Sequence, residues 1–197
     1  MQDEIVRSLV WADYRLAVLF TVFIPLVLLI WAFVQKAEAI VRLLIIYWRV
    51  ASLLMITVYI LIAGGPVGFV SGFLARLLIP ISLWFWVDLN EEIQDRANGP
   101  LKLAMTSWRW AVTVYSTLGA IATIPFLSCA FVPGEAQEEF CQFLREPPLL
   151  FKQFFHPNSQ PGFLGFIGIT GLVIYILYLV YFVLVRLGKQ GRSAMEQ

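Results

Sequence analysis

Histidine, cysteine and charge are all scarce in this chain. The single histidine, His156, stands beside Pro157 in a polar turn, which nearly excludes a His-dependent triad or a His-rich metal site. Charged residues make up 14%, against roughly 25% in soluble domains. No polar stretch is long enough to fold alone, so residues 1–197 read as one unit and not two domains. The net charge is +1, which gives a nucleic-acid partner no electrostatic support. No glycine loop with a phosphate-binding lysine occurs. No acid stands inside an apolar run, so a proton relay of the usual kind lacks its carrier. We therefore expect a non-enzyme, with no catalytic residue, no metal and no obligatory cofactor. A bound lipid or pigment stays open.

What the chain has is apolar length. It is 60% hydrophobic, and its long apolar runs are the signature of a membrane protein. The expected fold is all-α: about five transmembrane helices with short interfacial helices. The spans are placed at residues 16–34, 43–63, 67–87, 107–127 and 163–185, each close to the ~20 residues a bilayer needs. Pro25 and Pro80 fall inside spans and predict kinks whose freed carbonyls neighbouring helices satisfy. Residues 1–15 carry charges throughout, and no small-residue cleavage site follows the first apolar run, so that run reads as a retained span. Ile5, Leu9 and Ala12 share a face there, which predicts a separate interfacial N-terminal helix. A disordered end is the alternative.

Lysine and arginine set the orientation. Lys36, Arg42, Arg49, Arg96, Lys102, Arg109, Arg186, Lys189 and Arg192 fall on one side; Arg7, Arg15, Arg145 and Lys152 fall on the other. Nine against four places residues 186–197 in the cytoplasm as a tail and the N-terminus outside. Trp31, Trp48, Trp84, Trp86, Trp108 and Trp110 lie near the cytoplasmic ends of spans, at the headgroup level indoles prefer. Arg49 and Arg109 share that layer and are expected to snorkel.

Residues 128–162 form a long outer loop, too long to be structureless in a compact domain. Two short helices are expected in it, over 135–144 and 149–155, separated by Pro147 and Pro148. Cys129 and Cys141, the only cysteines, both fall on the oxidising side. A disulfide between them would close a loop of about a dozen residues, worth on the order of 3 kcal/mol. Two thiols packed as small hydrophobes are the alternative.

Two constellations carry the functional expectation. Gly68, Gly72 and Arg76 recur every four residues on one face of the third span. A small-residue stripe admits a close helix, and a charge at that depth is a functional candidate. Arg76 could instead be structural, bonding carbonyls opened by Pro80 or water in a crevice, or it could line a transport path. Gly162, Gly165, Gly168 and Gly171 form a matching stripe in the last span. We expect the two glycine-bearing helices to touch, or each to receive a helix of another protein. The second constellation is Asp88, Glu91, Glu92 and Asp95, on one face just past the third span. Set at that helix's C-terminal end, these acids oppose its dipole, which points to a working surface. A solvated face balanced by Arg42, Arg49 or Arg109 is the plainer reading; a divalent-cation site is a third.

Four segments carry a family resemblance. They are Leu-Val-Trp-Ala-Asp-Tyr-Arg at 9–15, Tyr-Trp-Arg-Val-Ala at 47–51, Ile-Pro-Ile-Ser-Leu-Trp-Phe-Trp-Val-Asp-Leu-Asn-Glu-Glu at 79–92 and Ser-Trp-Arg-Trp at 107–110. Together they resemble a family of cyanobacterial integral membrane proteins known as a domain of unknown function, DUF3177-like. The resemblance covers nearly the whole chain, but its motifs are not catalytic. It implies a thylakoid or plasma membrane protein of an oxygenic phototroph. A non-catalytic accessory or assembly factor is then the expected function, with a membrane protein partner such as a photosystem II subunit. A small transporter or channel component is the alternative.

Overall fold

A computed structural model describes residues 2–131, 139–188 and 191–194. The described chain is helical, without a strand. Its helices are α1 (Gln2–Ala17), α2 (Ile24–Val34), α3 (Glu38–Ile62), α4 (Val67–Trp84), α5 (Val87–Asp95), α6 (Pro100–Thr123), α7 (Glu139–Phe143), α8 (Glu146–Phe155) and α9 (Pro161–Tyr181). Among the described residues, five helical stretches are long and apolar enough to cross a membrane: Asp3–Val34, Glu38–Ile62, Val67–Trp84, Pro100–Phe131 and Pro161–Leu187. They alternate in direction, so the bundle has a disulfide end, with α7 and α8, and a tail end, with α5 and residues 191–194.

The expected separate N-terminal helix is absent. α1 runs through a π-helical stretch, Val18–Phe23, directly into α2. No glycine or proline interrupts residues 2–24, so nothing in the backbone ends the helix there. Pro25 explains the π stretch. Proline has no N–H to return to the carbonyl four residues back, Thr21. The Thr21 carbonyl instead accepts from the Tyr47 hydroxyl of α3 at 2.8 Å. One residue earlier, the Phe20 carbonyl accepts from Trp108 Nε1 of α6 at 2.9 Å. Tyr47 and Trp108 meet edge to face at 5.0 Å, and both are buried. The π-helical stretch in the first span is thus the point where α3 and α6 anchor it.

α3 is the central helix, packed against α2, α4, α5, α8 and α9. The large core surrounds its tail-end half: Leu43, Leu44 and Tyr47 meet Ile79, Leu83, Leu89, Ile93, Met105 and Trp108. A smaller cluster of Val10, Leu61, Phe69, Phe126, Phe143 and the cysteines fills the disulfide end. Cys129 and Cys141 are bonded to each other. The helix expected over 135–144 is seen as Glu139–Phe143; 135–138 lie outside the described residues, as do Lys189 and 195–197 of the tail. At the α3–α4 turn Gly64 adopts φ +76°, which favours glycine. Arg145 fills the space over Gly64 and donates from Nε to the Leu61 carbonyl at 3.2 Å, satisfying one of the orphan acceptors at the end of α3.

Both glycine stripes close on α3, which corrects the expectation that the third and last spans touch. A Cβ on Gly68 would stand 2.7 Å from Leu61 Cδ2, and one on Gly72 3.2 Å from Thr57 Cγ2. Cβ atoms on Gly165 and Gly168 would stand 2.3 Å from Ala63 Cβ and 2.9 Å from the Ile60 backbone N. Lipid tails are as apolar as leucine, so close backbone approach is what brings membrane helices together. Here it clamps α4 and α9 onto two sides of one helix.

Candidate functional site

Arg76 does have an intramembrane acid, contrary to the sequence expectation. Because α1 and α2 form one continuous rod, Asp13 is carried alongside α4, level with Arg76. The two side chains form a bidentate ion pair. Arg76 Nη1 donates to Asp13 Oδ1 at 3.2 Å, and Nη2 donates to Oδ2. Arg76 is 12% and Asp13 32% exposed at the side chain. From α6, the Tyr115 hydroxyl lies 2.8 Å from Asp13 Oδ1 and 3.0 Å from the Asp13 carbonyl. The Arg76 guanidinium also lies over the Tyr115 ring, 5.7 Å from its centroid. A Cβ on Gly119 would fall 1.7 Å from Arg76 Nη1. The guanidinium therefore crosses α6 through the gap that this glycine leaves.

Three spans meet at this pair. It neutralises a charge that would cost about 2.5–3.5 kcal/mol or more if left alone. It contains no nucleophile beside a base, so its chemistry is electrostatic: it holds α1, α4 and α6 in register. Among the described residues, Arg76 bonds Asp13 and not the carbonyls near Pro80. Sequence reasoning missed Asp13, Tyr115 and Gly119. Asp13 and Tyr115 stand 102 residues apart, and the only clue was that no residue in 2–24 ends the first helix early.

The acidic cluster also sits differently from expectation. α4 ends at Trp84, and Trp86 is extended, with φ −84° and ψ 103°. α5 then starts afresh at Val87, and Asp88 lies in its first turn. There the helix dipole favours negative charge, so Asp88 breaks no local rule. Its Oδ2 accepts from Ser193 Oγ at 3.0 Å and from the Ala194 N–H at 2.6 Å. Asp88 thus ties the chain's last described segment to α5. Leu89, Asn90 and Ile93 are buried against the bundle, while Glu91, Glu92 and Asp95 are exposed.

Arg109 does not snorkel. It is 2% exposed, donates to Asn90 Oδ1 and lies 4.1 Å above the Trp84 ring. Arg42 approaches Glu38 at 3.8 Å, and Arg49 donates to the Tyr178 hydroxyl at 3.3 Å. None of the three balances the α5 acids. Among the described residues, no group of three His, Cys, Asp or Glu side chains could hold a metal ion.

At the disulfide end Glu146 accepts from Arg7 Nε at 2.8 Å and Trp11 Nε1 at 2.9 Å. Desolvation pushes this carboxyl up, but both hydrogen bonds and the Arg7 charge outweigh it and hold Glu146 below its ordinary range. His156 meets the Tyr59 hydroxyl at 2.8 Å, which pins the end of α8 to α3.

Residues 7–195 match the family described as protein of unknown function DUF3177. The chain belongs to that family. No curated protein and no solved structure matches it. The match takes in Asp13, Arg76, Tyr115, Gly119 and the whole of α5, so every feature above lies within the family's span.

Proposed function

We propose that this DUF3177 protein is a non-catalytic membrane accessory factor that binds another membrane protein through α5. One observation carries the reading. α5 is fixed on the bundle by its buried face and by the tail at Asp88, yet it holds Glu91, Glu92 and Asp95 outward. Among the described residues no cation lies within ion-pair distance of these three. Beside them is a shallow cavity of about 290 Å³, walled by Glu92, Asp95 and Arg96 with Ala37, Ala39, Ile40 and Ile93. A pre-ordered acidic ridge next to an apolar notch suits a lysine or arginine of a partner. The apolar stem would enter the notch and the charge would meet the carboxylates.

Gly68, Gly72 and Arg76 are left out of the proposed docking surface, because α3 and Asp13 pack against them. The lysine and arginine distribution places α5 on the cytoplasmic side. The resemblance to cyanobacterial proteins makes a thylakoid or plasma membrane the setting and a photosystem II subunit the first partner to test, an argument from context.

The test is charge reversal. The protein with Glu91, Glu92 and Asp95 all changed to Lys should insert and fold, since all three are exposed. Its recovery of photosystem subunits in mild-detergent affinity purification should fall on the order of tenfold. Unchanged recovery would defeat the α5 reading.

A further inference from the structure

The two halves of α9 differ in bulk. Gly165, Gly168 and Gly171 face α3 near the disulfide end, but Tyr175, Leu179 and Phe182 follow on toward the tail end. The first half closes on α3, and beside the second is a groove of about 410 Å³ between α3, α4 and the π-helical stretch Phe182–Leu187 that continues α9. That volume lies within the ~300–1,000 Å³ typical of small-ligand sites. Its floor is Ile46 and Val50, and its walls include Leu78, Ile81 and Leu179.

The groove's charge is of one sign. Among the described residues, Arg42, Arg49 and Arg186 line it, and no carboxylate does. Arg42 approaches Glu38 at 3.8 Å, whereas Arg49 and Arg186 meet no acid within 4 Å among the described residues. Cα–Cβ bonds tilt toward a helix's N-terminus. α3 begins at the tail end, so the bond of Arg49 leans toward the groove mouth. The last span begins at the other end, so that of Arg186 leans back into the groove. The two cations therefore lean toward each other along the groove.

We propose that this groove binds one membrane lipid with an anionic headgroup. One acyl chain lies along the apolar floor, the second chain stays in the bilayer, and the phosphate sits between Arg49 and Arg186. Charge complementarity selects the occupant. A lipid without phosphate or a partner's apolar helix would leave the arginines without counter-charge, and a zwitterionic lipid brings its own cation to the phosphate, whereas guanidinium groups pair bidentately with an anionic lipid's phosphate. The Tyr178 hydroxyl, 3.3 Å from Arg49 Nη1, holds one of the two in place.

The test uses the full chain, purified in mild detergent and titrated with phosphatidylglycerol or phosphatidylcholine of the same acyl chains, with native mass spectrometry as readout. The protein should retain phosphatidylglycerol selectively, by about fivefold for each arginine engaged. Arg49→Gln with Arg186→Gln should abolish the preference. Leu179→Trp, which fills the groove without altering charge, should abolish retention. Equal retention of both lipids by the unaltered protein would overturn the proposal, as would a preference that survives the arginine changes. If the double variant does not fold, Leu179→Trp decides: selective retention in that protein places the lipid elsewhere. Displacement by inorganic phosphate as effective as by phosphatidylglycerol would show a free-anion site and also overturn it.

Discussion

At the scale of single residues, Arg76 is the informative case. Its charge is a liability in a bilayer only if nothing pairs with it, and Asp13 and Tyr115 do so from two other spans. The residue that permits this is Gly119, because any side chain there would occupy the path of the guanidinium. Removing one partner of a buried ion pair costs about 3–5 kcal/mol. Asp13 is about a third exposed, so solvent or headgroup screening reduces the figure. Asp13→Ala should therefore destabilise the bundle by about 1–3 kcal/mol, because it strands Arg76. Arg76→Leu strands a more exposed carboxylate and should cost less. The double variant should be more stable than the sum of the two losses predicts, by about 1 kcal/mol. Unfolding in mild detergent, followed by helical circular dichroism, measures the cycle; additive losses would show that the pair is not energetically coupled.

At the scale of elements, the sequence showed spans well and their junctions poorly. The third span, read as 67–87, is Val67–Trp84; the last, read as 163–185, is Pro161–Leu187. Hydropathy finds these because lipid-facing surface dominates them. It missed the start of α6 at Pro100, which follows the visible Asn98-Gly99 signal, because Lys102 interrupts the apolar pattern between the buried Leu101 and Met105. It also missed the break at Phe85 and Trp86, where no glycine or proline marks the end of α4. That miss reversed the electrostatic reading of Asp88. The glycine stripes were legible as surfaces of close approach, but a stripe does not say which helix approaches it. The structure supplies α3 for both. Gly168→Leu should therefore push α9 off α3, since its Cβ alone would come within 2.9 Å of the Ile60 backbone N, and overpacking of this kind costs about 1–3 kcal/mol or more. Gly162→Leu should be nearly neutral, because nothing lies within 4 Å of a Cβ there. Thermal unfolding of the two variants in the same detergent compares them; equal losses would mean that the α3–α9 approach contributes little to stability.

At the scale of the whole molecule, the bundle separates two kinds of charge. Arg76 and Arg109 are consumed inside it, by Asp13 and by Asn90 with Trp84. Neither can help fix orientation in the way a loop lysine does. Discounting Arg109, the sequence count becomes eight basic residues on one side against four on the other, which still favours the proposed cytoplasmic tail end. Five spans also require the two ends of the chain to lie on opposite sides. Both statements can be checked with one labelling experiment, because Cys129 and Cys141 are bonded to each other and no other cysteine exists. A single introduced thiol is then the only reactive one. Glu91→Cys, on the outward face of α5, should react with a membrane-impermeant maleimide only from the cytoplasmic side. Asn158→Cys, in the exposed turn between α8 and α9, should react only from the opposite side. Labelling of both from one side would rule out an odd number of crossings between α5 and that turn. Labelling from opposite sides in the reverse sense would keep the five-span fold but put α5 and the arginine groove on the outer surface. The acidic ridge would then need a partner there instead.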